Sequence, residues 1–177
     1  SGLDRHEDQP CFVYTESEFC QLPEALKIYF KPFFKNSQIG HFSHEDKPNY
    51  YIFYSNSKDI DEEMKQRLEP FKAKLDQRRE VVQNTRLWYE LTWPRVSSIF
   101  SGEKLIAPQR ANRNYFAYNQ GEFFASADVY FIKTHEHSPY SLKVLCALLN
   151  SSFYLDWLMH YGKRKGSMLE LYATPLK

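Results

Sequence analysis

Three stretches of this chain carry side chains suited to gripping a charged ligand. The first is Gly162-Lys163-Arg164-Lys165-Gly166, three adjacent cations between glycines. A cationic loop flanked by glycines suits phosphate, because its backbone can approach closely and its charges displace counterions. The second runs Gln109-Arg110-Ala111-Asn112-Arg113-Asn114 and contains no acid. Arginine pairs bidentately with guanine, and asparagine or glutamine with adenine, because their donors and acceptors match those base edges in the major groove. Gln109, Arg110, Asn112, Arg113 and Asn114 are therefore candidates to read bases, whereas Lys163, Arg164 and Lys165 suit phosphates, which fix register without carrying sequence information. Lys31, Lys35 and Asn36 form a third region, with Lys35 placed at phosphate and Asn36 at a base edge.

Reaction chemistry has no comparable support. The chain lacks a G-x-G-x-x-G loop, a Walker P-loop, a G-x-S-x-G elbow and an H-E-x-x-H helix. His135-Glu136-His137 could place two imidazoles on one face of an extended segment, yet nothing nearby completes a metal set, so no metal is expected. His41, Ser43 and His44 lie close together without an orienting acid, and read as a polar loop. Asp128 sits in a strand-like run and reads as structural. No catalytic residue is expected.

The elements that must position these groups follow from composition and pattern. A chain of 177 residues fits one domain with a proper core. Aromatics make up 17%, with 13 Tyr and 14 Phe, which excludes a disordered chain and favours β-structure. The net charge of +1 means that any polyanion must be bound by local patches, not by the overall balance. Cys11, Cys20 and Cys146 are odd in number and widely spaced, the usage of reduced intracellular thiols. No apolar stretch reaches the roughly 18 residues of a membrane span, and the amino end is polar and charged. The expected location is the cytoplasm.

Along the chain, residues 1–21 read as a lead-in and 22–177 as the domain. Strands are predicted at 50–54, 104–109, 115–118, 128–133 and 168–172, from aromatic and β-branched runs bounded by polar residues. Met64, Leu68, Phe71 and Leu75 recur at helical spacing within 59–84, with a break predicted at Pro70. Two further helices are predicted over 141–150 and 153–161. Trp88, Trp93 and Trp157 read as core anchors. Residues 110–114 and 162–166 read as loops. The pattern is α+β: a single mixed domain of short, mainly antiparallel strands and packed helices.

Several blocks together resemble the TaqI-like C-terminal specificity domain of adenine-specific DNA methyltransferases, found in bacterial restriction-modification enzymes. They are KPFFKNSQI (31–39), LWYELTWPR (87–95), KLIAPQRANRNYFAYN (104–119), FFASADVYFI (123–132), LKVLCALLNS (142–151) and GKRKGSMLELYATPL (162–176). The resemblance implies a target-recognition domain that docks on double-stranded DNA. A separate methyltransferase domain of the same parent chain flips the adenine and methylates it with S-adenosylmethionine. The Asn-Pro-Pro-aromatic tetrapeptide of such enzymes is absent, since Lys47-Pro48-Asn49-Tyr50 is not that motif. The resemblance therefore implies a recognition portion that holds no cofactor, in a parent with or without endonuclease activity, its catalytic domain lying upstream. The competing reading is a protein-interaction domain whose aromatics pack on a partner subunit.

Overall fold

The computed structural model describes residues 5–6, 9–55, 59–92 and 94–171. They gather into two compact units, one of residues 1–33 and 48–96, the other of residues 34–47 and 97–177.

In the first unit, β1 (Arg5–His6) pairs antiparallel with β2 (Gln9–Pro10). Next come β3 (Val13–Thr15), β4 (Phe30–Phe34) and β5 (Tyr50–Phe53). β5 lies between the other two, with Val13 opposite Ile52 and Phe30 opposite Phe53, both pairings antiparallel. The segment expected as a lead-in therefore contributes a strand, and Cys11, Phe12, Val13 and Tyr14 are all buried. A Cys-Phe-Val-Tyr run bounded by Pro10 and Thr15 is itself a strand signature. Thr15 then caps α1 (Glu16–Cys20) in a reciprocal box: its hydroxyl accepts from the Glu18 N–H, and Glu18 accepts from the Thr15 N–H at 2.7 Å.

After α2 (Glu24–Lys27), the predicted helical stretch is α3 (Glu62–Leu68), a 3₁₀ turn at Glu69–Phe71, α4 (Lys72–Leu75) and α5 (Arg79–Val82). The break falls at Pro70, which lacks an N–H for a continuing α-helix. Met64, Leu68, Phe71 and Leu75 are buried in one cluster with Phe30 and Phe53, as their spacing predicts.

The second unit holds β6 (Lys104–Pro108), β7 (Arg110–Ala111), β8 (Ala117–Asn119), β9 (Phe124–Ala125) and β10 (Val129–Ile132). Then come α6 (Leu142–Leu149), α7 (Ser152–Tyr161), β11 (Arg164–Lys165) and β12 (Met168–Glu170). β6 runs between β10 and β8, antiparallel to both, with Ile106 opposite Phe131 and Ala117. A second sheet has the order β11-β12-β7. Ser141 and Ser151 cap the two helices through their hydroxyls. Asn150, buried at the junction, bonds both backbone groups of Phe116 at 2.7 and 3.1 Å. Leu158 of α7 packs with Ala111, Phe116, Leu169 and Leu171, so the helix supports the β11-β12-β7 sheet from beneath. Among the described residues no helix is long and apolar enough to cross a membrane.

Candidate functional site

The GKRKG run is a hairpin, where a flexible loop was expected. Arg164 faces Leu169 and Lys165 faces Met168, which leaves Gly166-Ser167 as a two-residue turn. Gly166 has φ 62°, the glycine requirement of a II′ turn at its first loop position. Upstream, the Gly162 N–H donates to the Leu158 carbonyl at 2.8 Å and ends α7. The cations are thus aimed by a strand pair, and each has a different setting. Lys163 Nζ lies 3.6 Å from Glu170 Oε2. Arg164 Nη2 donates to the Met159 carbonyl at 3.1 Å, at the negative end of α7. Lys165 is exposed, and its side chain makes no hydrogen bond or ion pair among the described residues.

β12 also pairs antiparallel with β7, with Glu170 opposite Arg110 and Leu169 opposite Ala111. The Arg110-Asn114 stretch thus begins as a strand, not a loop. Arg110 Nε sits 3.3 Å from Glu170 Oε1, and the Glu170 side chain is only 6% exposed. One buried carboxylate therefore faces two cations, Arg110 of β7 and Lys163 just before β11.

Beside this pairing lies a groove of about 290 Å³, lined among others by Asn36, Ser37, Arg110, Asn112, Tyr115 and Met168. Two of the three regions singled out in the sequence converge on it, Asn36 from the 3₁₀ turn Asn36–Gln38 and Arg110 and Asn112 from β7 and its continuation. The third, GKRKG, stands at its border through the pairing of β11 with β12. Arg113 is exposed nearby in sequence and makes no hydrogen bond or ion pair among the described residues. Gln109 has both backbone groups committed, its N–H to Asp128 and its carbonyl to Leu171. Lys35 is half-buried at the entry to the 3₁₀ turn, its N–H donating to Gln38 Oε1 at 2.9 Å, and it does not line the groove.

Asn114 requires a correction. It is fully buried, and its amide donates to the carbonyls of Leu149 and Ser151 at 2.7 and 3.0 Å. The Leu149 carbonyl at the end of α6 needs a donor, and the Ser151 carbonyl, which also accepts the Leu155 N–H, opens α7, so Asn114 ties the junction of the two helices and presents nothing to a base. Conversely, Ser37, Tyr115, Met168 and Glu170 belong to the site and were not foreseen. The signal for Glu170 was an acid set between two leucines in a strand that follows a cation run.

The histidines near residue 41 serve the scaffold. His41 Nε2 is 2.9 Å from the Asn150 carbonyl, and His44 Nε2 is 3.1 Å from Asn119 Nδ2. Asn119 also accepts from the buried Lys104 ammonium, whose other acceptors are the carbonyls of Gly102 and Gly121. Burial, aided by the nearby Lys133 charge, pushes the Lys104 pKa down to about 8. No group of three His, Cys, Asp or Glu that could hold a metal occurs among the described residues. Trp88 packs against the first unit's core, and Trp93 lies outside the described residues. Trp157 departs from the anchor expectation: it is 40% exposed and stacks on Tyr154. With Phe153 and Tyr161, at 80% and 76% exposure, it forms an aromatic stripe at four-residue spacing along α7.

The model of a family described as the TaqI-like C-terminal specificity domain matches residues 31–177, well over half of the chain. Among solved structures, the type IIL restriction-modification enzyme MmeI in complex with DNA has a similar fold, with a TM-score of 0.57 and 17% identity. That likeness covers 93% of this chain and 22% of the enzyme's, so the chain spans about a fifth of its length. No curated protein matches the sequence.

Proposed function

Because the chain belongs to the TaqI-like C-terminal specificity domain family, we propose that it recognises a sequence in double-stranded DNA on behalf of a restriction-modification enzyme. One observation carries this reading: Asn36, Arg110 and Asn112 come from distant parts of the chain to line one groove, beside the Lys163-Arg164-Lys165 hairpin. Amide and guanidinium donors supply the bidentate pairs that tell adenine and guanine from the other bases. The adjacent ammonium groups supply the sequence-independent grip. At about 290 Å³ the groove is at the small end of ligand pockets, and it is lined by polar groups suited to an edge passing across it.

In this reading the exposed Lys165 meets phosphate first, and the exposed Arg113 stays a candidate for a base edge. Lys163 and Arg164 add to the field while held by Glu170 and by the end of α7. The parent enzyme is an adenine-specific DNA methyltransferase of the cytoplasm. Its catalytic domain, in the same chain, flips the adenine and binds S-adenosylmethionine; this portion keeps the duplex in register for it.

Salt-dependent binding tests the reading. Titrated with a fluorescent random-sequence duplex between about 50 and 200 mM salt, the chain should lose affinity with a slope of about 0.9 per phosphate contact. Replacing Lys163, Arg164 and Lys165 together by Ala should lower that slope by about one to three units. An unchanged slope removes the phosphate role.

The exposed stripe Phe153, Trp157 and Tyr161 favours a second reading, a surface that packs on a partner subunit. It predicts association lost on Phe153→Ser and little salt-dependent DNA binding.

A further inference from the structure

Glu170 stands apart from every other acid in this unit. It is 5% exposed, lies in the strand that borders the groove, and faces Arg110 with one oxygen and Lys163 with the other. A buried carboxylate is costly unless paired, so its retention calls for a reason beyond packing. The geometry of the Arg110 contact supplies one. Only Nε donates to Glu170, while Nη1 and Nη2 make no hydrogen bond among the described residues. Arg110 also lines the groove with Asn36 and Asn112. An arginine tethered by Nε keeps its two terminal nitrogens as a fork, the shape that matches the O6 and N7 of guanine. The tether removes rotamer freedom before binding, which lowers the entropy lost on contact.

We propose that Glu170 is a positioning residue for base readout, holding Arg110 so that its fork meets a guanine edge, and coupling that fork to the phosphate grip through Lys163. The inference rests on the DNA-recognition reading above. It predicts a division of labour: Arg110 touches the base, and Glu170 acts only through it. Glu170→Gln keeps the shape, yet loses the charge that strengthens the Nε contact and sets an amide donor near the Lys163 ammonium. Arg110 then samples other rotamers. Removing an acid beside phosphates also leaves non-specific attraction equal or stronger, so specificity and affinity move in opposite directions.

The test begins with a random duplex pool, from which the wild-type chain selects its preferred site. Binding to that site and to a duplex with its guanine replaced is then measured for wild type, Glu170→Gln, Arg110→Ala and the double variant. Expected is a loss of about tenfold in guanine discrimination for Glu170→Gln, with affinity for a scrambled duplex unchanged or raised. The double variant should match Arg110→Ala alone, because the two residues act as one unit. The Arg110 Nε–H resonance should also lose its protection from exchange in Glu170→Gln. Losses that simply add, or discrimination kept in Glu170→Gln but lost in Arg110→Ala, overturn the positioning role and leave base reading intact. Discrimination kept in Arg110→Ala, or a pool that is never enriched, removes the reading beneath it. If Glu170→Gln does not fold, Glu170→Asp, which withdraws the carboxylate by one methylene, carries the same predictions.

Discussion

Replacing Gly162 by alanine tests whether the cationic hairpin is aimed by the helix before it. An ideal Cβ on Gly162 falls 2.4 Å from the Leu158 carbonyl oxygen and 3.1 Å from its carbonyl carbon and Cα. The obstacle is backbone, and that same carbonyl accepts the Gly162 N–H at 2.8 Å. It cannot retreat easily, because Leu158 is fully buried against Leu169 and Leu171. The chain after α7 must therefore swing outward, and forced overpacking of this kind costs about 1–3 kcal/mol. At Gly166 the same substitution meets nothing within 4 Å, but φ of 62° strains any side chain, by about 1 kcal/mol. Gly121→Ala, with open space and no positive φ, is the control and should stay within about 0.5 kcal/mol of wild type. Urea unfolding followed by circular dichroism gives the ranking Gly162 above Gly166 above Gly121. Hydrogen exchange at Leu169 and Glu170 should quicken in Gly162→Ala. A Gly162→Ala chain as stable as the control would refute the claim that close packing at the end of α7 sets the hairpin.

Three other predictions follow from particular groups. Asn114→Ala should cost about 2 kcal/mol by leaving the Leu149 carbonyl without its donor at a fully buried position, while the preferred DNA site stays the same; a changed site would return Asn114 to the reading surface. Lys104 has its pKa lowered to about 8, so between pH 8 and about 10.5 the unfolded chain holds a proton that the folded chain has released, and stability from this group rises with pH by at most about 3 kcal/mol. Thermal melts from pH 7 to 10 should show that rise in wild type relative to Lys104→Met, whereas Tyr14, raised to about 12 by burial, acts in the opposite sense only above pH 10. Phe153→Ser should change monomer stability by less than about 0.5 kcal/mol, since the ring is 80% exposed.

The α+β class and five of the strands, β5, β6, β8, β10 and β12, were legible because short aromatic and β-branched runs between polar residues carry a local signal. The residues at helical spacing, Met64, Leu68, Phe71 and Leu75, were legible as a buried face for the same reason. What stayed hidden depends on contacts distant in sequence. The GKRKG run looks like a loop until β12 is seen to pair with both β11 and β7, a partnership set by tertiary packing over Leu158. Asn114 and Asn112 are alike in type and neighbourhood, yet one is buried as a helix cap and the other lines the groove. Nothing in residue type separates them; the position of α6 does. Glu170 was passed over because an acid next to cations reads as solvent charge until its burial is known.

Amide chemical shifts of the labelled chain, followed as a duplex is added at low salt, test the central claim most directly, since they register weak contact residue by residue. The account predicts shifts at Asn36, Ser37, Arg110, Asn112, Arg113, Lys165 and Met168 that vanish as salt is raised, with Phe153, Trp157 and Tyr161 unmoved. Shifts confined to the α7 stripe, or none around the groove, would contradict it.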